Sequence, residues 1–209
     1  MIIAVDGPSG SGKSTISKKI AEILGISYID TGAMYRILAL YLKENNLEFR
    51  KEILKNINIK QEKNIFYLNG RDVSKLIREN DIAKKASDIS KLKEVREYMV
   101  EEQRKLGKEK SIILDGRDIT TVVFPNADYK FYLTASLEQR AKRRYLENNK
   151  VDFEVLLEDM KKRDYQDSTR ENSPLKIAKD AIIIDTTNMT EKEVVNKMLD
   201  IIKGEANAL

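Results

Sequence analysis

The 209-residue chain contains no cysteine and no histidine. The first absence excludes disulfides, thiolate nucleophiles and cysteine-ligated zinc. The second excludes Ser–His and Cys–His catalysis and imidazole metal ligands. Any chemistry therefore rests on Lys, Arg, Asp, Glu, Ser, Thr, Tyr, backbone dipoles or a bound ion. No apolar run approaches the ~20 residues that span a bilayer. The opening MIIAVDGPSG has no charged leader region and enters a strand at once, so no signal peptide is expected. The expectation is a soluble, cytoplasmic protein. Prolines number only 3, none in a proposed core strand. Aromatics do not interleave with basic residues as a stacking platform for nucleic acid requires.

What is present is a globular composition. Hydrophobic residues make up 41% and charged residues 34%, enough for a sizeable core in one domain spanning 1–209. Lys+Arg 38 against Asp+Glu 34 gives a net charge of +4. That surplus suits a polyanionic ligand but is too dispersed to mark a nucleic-acid binder.

Five short apolar, mostly β-branched runs, at 2–5, 28–29, 112–114, 129–133 and 182–184, alternate with helical patterns. Runs of this kind are buried parallel strands of an α/β sheet. Helices are predicted over 15–24, stopped by Gly25, over 33–45, over 92–106, ending at Gly107, and from Thr190, where Glu193 completes a capping box. One stretch breaks the alternation. Residues 57–59 and 65–68 read as a small strand pair followed by the tight-turn signal Asn69-Gly70, with short helical segments at 73–78 and 82–90. An insert over 55–90 with its own sheet fits poorly inside a doubly wound core and is read as a subdomain on its rim.

Gly7-Pro8-Ser9-Gly10-Ser11-Gly12-Lys13-Ser14, followed by Thr15, matches G-x-x-x-x-G-K-[ST] between a predicted strand and a predicted helix. The glycines let successive N–H groups turn toward an anion, and the helix N-terminus adds partial positive charge. Lys13 then reaches the β/γ-phosphates, and the Ser14 hydroxyl is placed to ligate Mg²⁺. This is a nucleoside-triphosphate site, but the cradle alone does not say where the phosphoryl group goes.

Three further constellations point to an acceptor. Asp30-Thr31-Gly32-Ala33-Met34-Tyr35-Arg36 follows the second strand and opens a helix, with Thr31 as its expected cap. Asp115-Gly116-Arg117-Asp118 follows the apolar run 112–114, at the carboxyl end of a buried strand, where open α/β sheets bind ligands. Asp115 occupies the place of a carboxylate that holds Mg²⁺ directly or through water. Finally, a helical stripe through Leu156 and Met160 turns from apolar to charged at Arg163, Asp167 and Arg170. Arg140, Arg143 and Arg144 precede it as the basic part of a lid over 140–170, with Lys142 among them read as part of a solvated face. On the residues alone, a kinase acting on CMP, UMP, AMP or another small phosphorylated acceptor remains open, as does a P-loop switch or an RNA-associated ATP-binding module.

The order GPSGSGKST, DTGAMYR, LDGRDITTVVFP and KKRDYQDSTR resembles the bacterial cytidylate kinases, a family of nucleoside monophosphate kinases, over essentially residues 1–203. The resemblance implies a P-loop α/β core of five parallel strands, an NMP-binding insert and a mobile lid. It implies γ-phosphoryl transfer from ATP to CMP and dCMP with Mg²⁺, in pyrimidine nucleotide metabolism, by a monomer. Position by position, Thr31, Tyr35, Arg36, Arg117 and Arg163 are expected to hold the acceptor phosphate, beside Asp115 and Gly116. Asp167 and Arg170 would contact the ribose, and Ser87, Arg96 and Asp118 the base. By the same resemblance, Lys13, Arg117 and Arg163 are expected to carry catalysis, and residues 7–15 with Arg140 and Arg144 to bind ATP. The base assignment makes chemical sense: a carboxylate accepts from cytosine N4, and an Arg fork donates to N3 and O2. Uracil sets O4 against Asp118, a mismatch of about 1–3 kcal/mol, or roughly tenfold to a hundredfold. Gln166 and Ser168 stand where a more basic lid is usual.

Overall fold

The computed structural model describes residues 1–108, 111–147 and 152–204. In chain order its elements are β1 (Ile2–Asp6), α1 (Lys13–Leu24), β2 (Ser27–Asp30), α2 (Thr31–Glu44), β3 (Ile59–Glu62), β4 (Ile65–Leu68), β5 (Arg71–Asp72), α3 (Asn80–Ile89) and α4 (Lys93–Gly107). They continue with β6 (Ile112–Gly116), β7 (Tyr129–Thr134), α5 (Leu137–Glu147), α6 (Phe153–Thr169), β8 (Ile182–Asp185) and α7 (Glu191–Lys203). Short 3₁₀ turns lie at Lys51–Asn56 and Leu76–Arg78, and a π-helical turn at Ile119–Val123. The chain divides into two compact units, Met1–Tyr28 with Lys110–Leu209, and Ile29–Glu109.

The first unit is built on the expected five-stranded sheet, in the order β2-β6-β1-β7-β8. β1 pairs in parallel with both β6 and β7, and β7 in parallel with β8. α1 and α7 set Ile16, Ile20, Val194, Val195 and Met198 against Ile3, Val5, Ile113 and Phe131. Each such side chain removed from water contributes about 1.5–3 kcal/mol. The helix ends follow the sequence. Gly25 closes α1 in the left-handed conformation at φ 65°, its N–H on the Ala21 carbonyl. Thr190 and Glu193 form the reciprocal capping box of α7. α6 persists as one helix through the charged stripe, with Arg170 as its C-cap. Of the expected lid, 148–151 lie outside the described residues, as do residues 205–209. Gly204 itself caps α7 at φ 76°.

The second unit packs α2, α3 and α4 with the three-stranded antiparallel sheet β3-β4-β5. Its interior holds Ile37, Leu38, Phe66, Ile77, Ile82, Val95 and Met99. Several expected boundaries shift. The first strand begins at Ile59 rather than at 57 and pairs Glu62 with Ile65 around a turn at Lys63, φ 53°. Asn69-Gly70, both at positive φ, does form a tight hairpin turn, but it leads into β5, two residues too short for periodicity to reveal. The helix expected over 73–78 shrinks to the 3₁₀ turn Leu76–Arg78, because the Val73 N–H stays on the Phe66 carbonyl as an extension of the sheet. Gly107 is the last residue of α4, not a left-handed stop after it, and Lys108 caps in the right-handed region at φ −76°.

Candidate active site

β1 delivers the chain into the phosphate cradle. Gly7 sits where a Cβ would lie 2.0 Å from the Leu133 carbonyl oxygen of β7, so no larger residue fits. Gly10 and Gly12 adopt φ 74° and 89°, and Gly12 is the N-cap of α1. Lys13 is buried and folds back, its Nζ donating to the Pro8 carbonyl at 2.7 Å and to Ser11 Oγ at 3.4 Å. Burial and then the neighbouring Arg117 charge pull its pKa down to about 7, against the opposing pull of Asp115, Asp6 and Asp167. Ser14 and Thr15 open α1 at the exposed mouth of the cradle.

At the end of β6, Asp115 is held from both sides. Ser14 Oγ donates to its Oδ2 at 2.9 Å, and Tyr28 Oη donates to its Oδ1 at 2.6 Å. Two hard oxygen donors in contact beside a phosphate cradle fit Mg²⁺, which keeps waters and takes phosphate oxygens instead of a protein cage. Among the described residues no cluster of three or more Asp, Glu, His or Cys offers such a cage. Gly116, the buried last residue of β6, leads into Arg117 and Asp118.

The charged stripe of α6 meets that loop. Arg117 Nε donates to Asp167 Oδ2 at 2.8 Å, and Arg170 lies 3.7 Å from Asp167 and 4.0 Å from Asp118. Burial opposes the Asp167 charge, but Arg117, Arg163 and Arg170 outweigh it and hold its carboxyl below the usual range. Arg163 therefore belongs to the same cluster. Arg140 is buried on α5. Its guanidinium donates to the Ala135 and Ser9 carbonyls at 2.9 and 3.0 Å and pairs with Asp164 at 2.7 Å, tying α5 and α6 to the cradle. Arg143 turns instead to Thr186 after β8, and Arg144 is half-buried on α5.

In the second unit, the cap of α2 corrects the sequence expectation. Asp30, not Thr31, is the N-cap: its Oδ1 accepts from the Ala33 N–H at 2.8 Å, and Thr31 is the first helical residue, buried. A carboxylate, with two acceptor oxygens, caps the helix with one and holds a cation with the other. Asp30 Oδ2 accepts from Arg36 at 3.0 Å and has Arg78 at 3.7 Å. Arg36 Nε is buried without a hydrogen-bond partner among the described residues. Arg78, a second cation at this carboxylate, carries no sequence signal, since it lies in a 3₁₀ turn outside any motif. Arg96 is 3% exposed, donates to the Ser90 carbonyl at 3.2 Å and stands 5.7 Å from the Tyr35 ring centroid. Ser87 is half-buried on α3. The structure thus brings Tyr35 together with Arg96, and Arg36 with Asp30, within this unit.

Comparison with known proteins shows the family of the chain. Residues 3–204 match the family model described as "Cytidylate kinase". A cytidylate kinase from Fusobacterium nucleatum is 53% identical over 94% of both chains. Another from Thermosipho melanesiensis is 50% identical over 96% of both. Among solved structures, a shikimate kinase from Bacteroides thetaiotaomicron (10% identity, TM-score 0.52, 97% and 98% coverage) and a gluconokinase from Sinorhizobium meliloti (14%, 0.52, 94% and 88%) share the fold.

Proposed function

The chain belongs to the cytidylate kinase family, and from that premise we infer how its residues move a phosphoryl group from ATP to CMP. It is a transferase, a P-loop nucleoside monophosphate kinase; UMP and AMP as preferred acceptors, and a non-kinase switch, are not favoured. We propose dCMP as a second acceptor, and CDP or dCDP with ADP as products feeding pyrimidine nucleotide metabolism. The observation that carries the reading is the cradle with Lys13 drawn into it while Asp115 is fixed by Ser14 and Tyr28.

In this reading residues 7–15, with Arg140 and Arg144, bind ATP, and Lys13 exchanges the Pro8 carbonyl for β- and γ-phosphate oxygens. Ser14 and Asp115, the latter directly or through water, would hold Mg²⁺, which would supply charge neutralisation. Thr31, Tyr35, Arg36, Arg117 and Arg163 take the CMP phosphate, with Asp115 and Gly116 beside it. Asp167 and Arg170 take the ribose, and Ser87, Arg96 and Asp118 read cytosine. An oxygen of the CMP phosphate attacks the γ-phosphorus, and the β–γ bridging oxygen leaves with ADP. The attacking oxygen is already an anion, so no general base is needed, and a chain without histidine loses nothing. Catalysis is positioning and charge neutralisation by Lys13, Arg117 and Arg163 around a loose transition state.

We assign residues 55–90 to the NMP-binding insert and 140–170 to a lid that excludes water as the competing acceptor. No helix among the described residues is long and apolar enough to cross a membrane, and we propose a cytoplasmic monomer that binds no nucleic acid. Phosphorus NMR of the purified chain with ATP, Mg²⁺ and CMP tests the reaction. CDP and ADP growing in equal amounts support it; inorganic phosphate in place of CDP contradicts it.

A further inference from the structure

Asp6 ends β1, one residue before the cradle, and none of its surface is exposed. A carboxylate there loses its hydration and must be matched by donors. Three supply it. The Ile119 N–H donates to Oδ1 at 2.9 Å, and the Thr120 N–H and Oγ1 donate to Oδ2 at 2.7 and 2.6 Å. These two N–H groups are the first of the π-helical turn Ile119–Val123, which has no partner for them within the turn. That turn is closed on the Asp118 carbonyl, which accepts from the N–H groups of Val122 and Val123 at 2.9 and 3.1 Å.

The same residue also holds the other side of this loop. Asp6 is the register partner of Gly116, the last residue of β6. Between Gly116 and Ile119 lie only Arg117 and Asp118, so Asp6 anchors both ends of a two-residue span, one through strand pairing and one through its side chain. Single-turn π segments are rare and concentrate at functional sites. Burial and the nearby Asp118 carboxylate push the Asp6 carboxyl up to about 6. The charge is thus kept at neutral pH against its surroundings, where a neutral residue would serve simple packing at lower cost.

We infer that Asp6 is a specificity-determining positioning residue: it fixes Arg117 and Asp118 relative to the phosphate cradle, and so sets how strictly the acceptor base is read. This rests on the assignment of Asp118 to cytosine made above. Asp6 touches no substrate in this account and acts only through the loop.

Steady-state kinetics with CMP and UMP as acceptors, alongside a thermal melt, test the inference in Thr120→Val, Thr120→Ser and Asp6→Asn. Thr120→Val removes one of the three bonds and leaves the backbone pair. Losing one hydrogen bond corresponds to roughly twofold to tenfold. KM for CMP should rise by that factor and the CMP-over-UMP ratio of kcat/KM should fall, while KM for ATP holds. Thr120→Ser, which keeps the hydroxyl, should restore wild-type values, and Asp6→Asn should exceed Thr120→Val. If Asp6→Asn does not fold, the threonine pair decides alone. A lower melting temperature with KM for CMP and the acceptor ratio unchanged overturns the inference and leaves a structural clamp. KM for ATP and CMP rising together overturns it too, because the clamp then serves the cradle. A wild-type enzyme without preference for CMP over UMP overturns the base reading, and this inference with it.

Discussion

The two units treat charge differently. In the first, the cradle, Asp115, Arg117 and Asp167 come from the carboxyl ends of strands or from the helix that meets them, and each is pinned at hydrogen-bond distance. In the second, Arg36 and Arg78 gather about the Asp30 cap, Arg36 Nε has no hydrogen-bond partner among the described residues, and Arg96 lies along the Tyr35 ring. A sheet edge gives fixed positions for a step common to many substrates. Helix faces beside a small antiparallel sheet gather cations around one carboxylate and one aromatic ring. In the reading proposed above, the first unit carries the phosphoryl-transfer step, and acceptor choice is assigned to residues from each unit.

Breaking the cradle should have the largest effect. Lys13→Ala should cut kcat by a thousandfold or more, about 4 kcal/mol, equally for every acceptor. An acceptor-dependent loss in a rate assay would erase the contrast. Next comes a fully buried carboxylate of the first unit. Asp6 has its folded pKa raised from 3.8 to about 6, so its stabilising contribution is complete below 3.8 and lost as pH rises through 6. Wild type should therefore lose ~3 kcal/mol relative to Asp6→Asn between pH 4 and 7. Denaturant melts at several pH values check this, and parallel curves would contradict it.

Smaller effects sharpen the contrast. Asp118→Ala should lower kcat/KM for CMP tenfold to a hundredfold, about 1–3 kcal/mol, and narrow the CMP-over-UMP ratio. A loss confined to ATP binding would show that donor and acceptor sides are exchanged. Tyr28→Phe removes one of the two bonds orienting Asp115 and should cost ~1 kcal/mol, seen as a severalfold higher Mg²⁺ concentration at half-maximal rate. An unchanged Mg²⁺ titration would deny Tyr28 that role.

Legibility divides along the same line. β1 and β6 are buried along nearly their whole length and leave unbroken apolar runs; β8 carries such a run although Ile182 and Ile183 are exposed at the sheet edge, β2 leaves only two apolar residues, and the cradle carries its own spacing. Arg96 was not readable from the residues: one arginine beside Val95 and Met99 looks like the polar margin of an amphipathic helix, and only the family resemblance singled it out. Arg78 sits in a 3₁₀ turn without periodicity, and β5 is too short for any pattern. Thr31 was taken for the cap because Asp30 and Thr31 are both good capping residues, and only geometry shows which carboxyl or hydroxyl reaches the Ala33 N–H. Asp6 reads as an ordinary strand end, since its three donors come from more than a hundred residues away.

The most direct measurement is ADP release by the purified chain with ATP, Mg²⁺ and, in turn, CMP, dCMP, UMP, AMP, GMP and dTMP. The account predicts turnover with CMP and dCMP, and UMP weaker by tenfold to a hundredfold. Equal rates across the acceptors, or ADP release that ignores all of them, would contradict it.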